Sequence, residues 1–105
     1  MRKFKVWGKP HCWLARSQYV VGNGLSLMVQ NQEDGLVAMV TANLVGYDIS
    51  DYEAFLDVHN FPLGAKLVEL LGIGEATGFF GHGGRRTYPL YRFDRKKLDE
   101  LPSVG

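Results

Sequence analysis

The chain has 105 residues and a mass of 11.8 kDa, which makes one small domain with no room for a second. Hydrophobic residues make up 46% and charged residues 22%, which excludes a disordered, collagenous or coiled-coil chain. The formal net charge is +1 at pH 7, and the sequence pI near 7.9 falls below the roughly 9 expected of a dedicated nucleic-acid domain.

The first third reads as strands. Phe4-Lys5-Val6-Trp7 alternates apolar and basic residues, the pattern of a half-buried strand. Trp13 to Val21 is β-prone at both ends around a polar middle, and Gly22-Asn23-Gly24 then signals a turn. Leu25, Leu27 and Val29 alternate onto one face, Glu33-Asp34-Gly35 gives a second turn, and Leu36 to Ala42 follows as another strand. These runs predict an antiparallel β-meander over residues 1–43. The pattern breaks into a loop from Asn43 to Ser50, and Asp51 to Val58 fits either a short helix or a strand.

Asn60 stands where an N-cap belongs, with Pro62 in the first turn, where its missing N–H costs nothing. Leu63, Leu67, Leu70 and Leu71 recur at helical spacing and Gly72 suits the C′ position. The main helix is therefore expected at about 62–71, within a 60–72 segment, with those four leucines buried and Lys66 and Glu69 outside. Six glycines among residues 72–84 predict a glycine-rich loop over 73–86. Thr87 to Phe93 is a β-prone strand in which Pro89 favours an edge position or a bulge. As an edge strand it would leave both monomer and homodimer open. Residues 94–105 form a basic C-terminal extension, with Asp94 capping a short helix before Pro102. The expected fold is α+β, one sheet packed with one main helix in a single domain over 1–105.

Charge is segregated along the chain. Residues 1–16 carry Arg2, Lys3, Lys5, Lys9 and Arg16 with no acid, whereas residues 17–84 carry eight acids against Lys66. Six further bases follow from Arg85 onward. Such segregation either creates opposed surface fields or is neutralised across neighbouring strands.

The catalytic inventory is thin. His11, His59, His82 and Cys12 show no chelating spacing, so no metal or cofactor is expected. Cys12 beside Trp13 reads as a small buried residue rather than a nucleophile. As the only cysteine it has no internal disulfide partner, which suits a reducing cytoplasm. No apolar run approaches the roughly 18 residues of a membrane span, and the basic N-terminus lacks the following apolar stretch of a signal peptide. A non-enzymatic protein in the cytoplasm is the expectation.

Two surfaces are candidates for a protein partner. Phe79, Phe80, His82, Arg85 and Arg86 combine aromatic and arginine side chains, the types that dominate protein contacts. Asp48, Asp51, Glu53 and Asp57 form the acidic alternative. A nucleic-acid alternative uses Lys3, Lys5, Arg85, Arg86 and Arg92 on phosphates, with Phe79 or Phe80 stacking on bases.

Glu75-Ala76-Thr77-Gly78, then Gly81, then Thr87-Tyr88-Pro89-Leu90-Tyr91-Arg92-Phe93 resembles a small bacterial family of unknown function. Its members are encoded on conjugative elements and related mobile DNA of gut bacteria. Glu53-Ala54-Phe55-Leu56-Asp57 with Asn60 and Pro62 is similar to that family's middle segment, so the resemblance spans residues 25–93 and leaves the stretch after Asp94 as an addition. It transfers no catalytic residue. It implies a setting in which small proteins bind a host or defence-system protein, as an anti-CRISPR-type inhibitor does, or a nucleic acid.

Overall fold

Gly22, Asn23 and Gly35 adopt φ of 86°, 56° and 73°, the left-handed region that reverses a chain within a few residues. In the computed structural model, which describes residues 2–104, these reversals join the expected meander. Strands β1 (Phe4–Val6), β2 (Lys9–Gln18), β3 (Leu25–Asn31) and β4 (Gly35–Met39) lie in that order in one antiparallel sheet. The alternation of Leu25, Leu27 and Val29 holds, each being 6% exposed or less. Strand β2 begins and ends earlier than its β-prone residues suggested. Val20 and Val21 belong to the turn and are 97% and 75% exposed.

The run from Leu36 to Ala42 is not one strand. It bends at Val40, whose N–H donates to Leu27 O while its own carbonyl accepts from Asp57 N–H, both at 2.9 Å. The bend hands the chain to a second antiparallel sheet, so the single expected sheet is two. That sheet has the order β5-β6-β8-β7, with β5 (Thr41–Ala42), β6 (Glu53–Leu56), β7 (Gly74–Gly83) and β8 (Arg86–Phe93). Strand β6 resolves the ambiguous segment, and Ala54, Phe55 and Leu56 are all buried. Thr41 pins the crossover, its hydroxyl accepting from Leu27 N–H at 3.1 Å and pairing with the Tyr19 hydroxyl at 2.7 Å.

Helix α1 (Leu63–Leu70) forms where expected, with Pro62 rather than Asn60 at its N-cap. Asn60 bonds the Asp57 carboxylate instead. Its buried face is Gly64 and Val68, while Leu63 and Leu70 are 48% and 63% exposed. A Cβ on Gly64 would lie 3.3 Å from Phe61 and 3.4 Å from Val40. The helix therefore rests on its glycine, a position that contributes nothing to a count of apolar residues. Helix α2 (Arg95–Asp99) is capped by Asp94, which accepts from Lys97 N–H, and buries Leu98. The core joins both sheets and both helices through Leu14, Leu27, Leu56, Phe61, Val68 and Leu98 among others.

Candidate functional site

The segment 73–86, expected as a loop, is mostly strand. Gly74 to Gly83 pairs along β8, which therefore lies inside the sheet and leaves β7 as its edge. The glycines explain the pairing. A Cβ on Gly81 would stand 2.6 Å from Phe55 Cε1, and one on Gly83 would stand 2.9 Å from Leu44 Cδ2. They leave room for side chains from elsewhere, and a larger residue at either position would collide. Between Ala76 and Phe80 the register shifts in a bulge opposite Leu90, beside Pro89, and Gly78 takes φ 88°. The bulge leaves the Leu90 carbonyl to the Thr77 hydroxyl, which donates to it at 2.9 Å and accepts from Phe79 N–H.

The bulge sets out the aromatic residues. Phe79 packs against Tyr47 and Phe55, with ring centroids at 6.1 and 6.5 Å, yet stays 51% exposed. Phe80 follows it in the strand, so it projects from the opposite side, and it is 54% exposed. Tyr47 reaches over from the 43–50 loop, its hydroxyl accepting from His82 N–H at 2.7 Å. That bond covers one amide of the outer strand. Tyr47 is the residue that sequence reasoning missed, and an aromatic alone among Gly46, Asp48 and Val45 was the signal. Exposed Val21 and Val45 line a cavity of about 280 Å³ with Tyr47, continuing an apolar surface around the loop. Arg85 and Arg86 stand exposed at the β7–β8 turn and enter no ion pair among the described residues.

The acidic set does not form one free face. Asp51 lies 3.5 Å from Arg95, and Asp57 accepts from Asn60. Glu53 accepts from both the backbone N–H and the hydroxyl of Ser50 and lies 3.6 Å from Arg92. The Ser50 backbone N–H, above all, holds the Glu53 carboxyl below its ordinary range; burial opposes this, and the Ser50 hydroxyl and Arg92 assist. Asp48 alone of the four is exposed without an ion pair among the described residues.

The basic set is also dispersed. Lys5 is on β1 and Lys3 precedes it, its ammonium 5.8 Å from the Trp13 ring. Lys5 belongs to the other sheet from the Arg85–Arg86 turn, Lys3 lies just before that strand, and Arg92 is held by Glu53. Three of the four ion pairs among the described residues, Lys9–Asp34, Arg92–Glu53 and Arg95–Asp51, join a base of an end segment to an acid of the middle. The charge segregation of the sequence is thus neutralised in part between neighbouring elements, at three of the eight middle acids.

Cys12 is fully buried and its thiol donates to Lys9 O at 3.3 Å. Among the described residues no cluster of His, Cys, Asp or Glu has the geometry of a metal site. No helix among them is long and apolar enough to cross a membrane.

A family model matches residues 13–105, from the middle of β2 through the tail that follows α2. The chain belongs to the family described as a domain of unknown function, DUF4313. No curated protein and no solved structure matches it. The DUF4313 span includes the whole C-terminal segment, so residues 94–105 are part of the family's domain and not an addition to it. The fold agrees, because Leu98 is buried and Val104 N–H donates to Arg16 O.

Proposed function

We propose that this protein is a non-enzymatic binding module whose β7–β8 hairpin docks on another protein. One observation carries the reading: Phe79 and Phe80 stand half-exposed on the two faces of an outer strand, in a hairpin whose turn carries two exposed arginines without ion pairs among the described residues. Aromatic and arginine side chains supply most hot spots of protein interfaces, and an outer strand can also accept backbone pairing. The bulge and the Tyr47 hydroxyl restrict that pairing, so side chains carry the contact.

The acidic alternative is less favoured, because three of its four carboxylates are engaged within the chain. The resemblance noted in the sequence supplies the setting. It supports a mobile element of gut bacteria as the gene's setting, a host or defence-system protein as the partner, and anti-CRISPR-type or other anti-defence inhibition as the outcome; the single Cys12 supports a cytoplasmic location. The experiment is an inhibition or pull-down assay with Phe80→Ser and the double variant Arg85→Ser, Arg86→Ser. Both are expected to stay folded and lose the partner. Full retention by both variants refutes the hairpin surface. Loss of binding only on nuclease treatment and at raised salt moves the assignment to nucleic acid, since phosphate contacts release counterions.

A further inference from the structure

Arg16 lies on β2 beyond the reach of β1, whose pairing with β2 extends only to Cys12. There the C-terminal tail takes the place of β1: Arg16 N–H donates to Pro102 O at 2.9 Å, and Val104 N–H donates to Arg16 O at 2.8 Å. The Arg16 backbone is fully committed. Its guanidinium is not. Nε is buried without a hydrogen-bond partner, the one buried side-chain N or O in that state among the described residues. Nη1 approaches only Asp99 Oδ1, at 3.7 Å, and that carboxylate is 75% exposed. A formed guanidinium–carboxylate hydrogen bond spans about 2.7–2.9 Å, so Asp99 is a loose counterion.

Arg16 also walls a cavity of about 520 Å³, larger than the others described, with Ser17, Gln18, Asn23, Asp51 and Ser103 around it. Half of the lining residues carry a hydroxyl or amide, groups that donate to an oxyanion, and Leu25 and Val104 complete the wall. We propose that this cavity binds a small oxyanion, a phosphate or carboxylate group, anchored by the Arg16 guanidinium. The planar fork of arginine matches two oxygens of either group, and Nη1, held only by the loose Asp99 contact, is available to the ligand. Asp99 is then displaced into water, which its exposure allows. Arg95, 3.5 Å from Asp51, offsets the second carboxylate at the rim.

The test is an amide NMR titration of the full chain with inorganic phosphate and, separately, acetate, at ionic strength held constant with chloride. Saturable shifts at Ser17, Asn23 and Ser103 are expected with one or both probes. Phosphate alone assigns a phosphoryl ligand, and acetate alone a carboxylate. Arg16→Gln should weaken binding by about tenfold or more, through loss of the charge-assisted pair. Arg16→Lys keeps the charge and the packing stem, and should weaken it several-fold through loss of the fork alone. Asp99→Asn should tighten binding, because it removes a competing carboxylate. Absence of saturable shifts with both probes overturns the proposal. So does affinity unchanged in Arg16→Lys together with Arg16→Gln, or Asp99→Asn weakening the site.

Discussion

Replacing Gly81 with alanine sets a methyl carbon 2.6 and 2.8 Å from Cε1 and Cζ of Phe55 and 2.9 Å from Leu44 Cδ1. Ordinary carbon contacts lie near 3.5–4.0 Å, so something must move. Phe55 is 1% exposed, and its ring is flanked by Tyr47 at 5.0 Å and Phe79 at 6.5 Å. It has nowhere to swing without disturbing both. Overpacking a filled site costs about 1–3 kcal/mol. A domain of this size loses roughly 4–8 °C of Tm per kcal/mol, which makes the expected drop about 5–20 °C. Gly78→Ala is the control: no atom lies within 4 Å of its Cβ, and only φ 88° opposes the substitution, at about 1–2 kcal/mol. Thermal unfolding by circular dichroism, with urea titration for the free energies, measures both. If Gly81→Ala melts with the wild type, the glycine segment is a free loop and the packed hairpin described here is wrong.

The two phenylalanines should separate stability from binding. Phe79→Ala removes contacts with Tyr47 and Phe55 and should cost about 0.5–1.5 kcal/mol for the aromatic pairs alone, whereas Phe80→Ala should leave the urea midpoint nearly unchanged while weakening the partner. Equal destabilisation by the two would place Phe80 in the core. For Glu53 the folded-state pKa is depressed, so its contribution to stability is complete above the ordinary glutamate range and is lost as pH falls through the lowered value. Glu53→Gln should therefore flatten part of the acid limb of a urea-midpoint-against-pH curve, and an unaltered limb contradicts the pairing with Ser50. At Asp94, which accepts from Lys97 N–H at 3.1 Å, alanine should cost about 1 kcal/mol by loss of an N-cap. A variant as stable as wild type would show that α2 is held by Leu98 alone.

Much of the first sheet was legible because each of its signals is local. The alternation of Leu25, Leu27 and Val29 states a buried face directly, and Gly22, Asn23 and Gly35 mark the reversals by residue type. The bend at Val40 was not legible. It is fixed by Leu27 and Asp57, each more than ten positions away, and Val40 itself fits a straight strand equally well. Strand β7 was hidden for a different reason. Glycines carry no side-chain periodicity, and their value at positions 81 and 83 lies in the space they leave for Phe55 and Leu44. The same blindness shifted the buried face of α1 from Leu63 and Leu70 to Gly64 and Val68. For the candidate site, residue type alone picked out Phe79, Phe80, Arg85 and Arg86. Tyr47 reaches Phe79 and the His82 amide across 32 and 35 positions of sequence, and only the fold brings it there. Arg16 gave no sign beyond being a charge in a β-prone run.

The most direct test of the binding surface is a pull-down from bacterial lysate with tagged wild-type protein beside Phe80→Ser, both treated with nuclease and washed at moderate salt. The hairpin account predicts a protein partner that survives both treatments with the wild type and is lost with a folded Phe80→Ser. Recovery of the same partner by both proteins, or of nucleic acid alone, would contradict it.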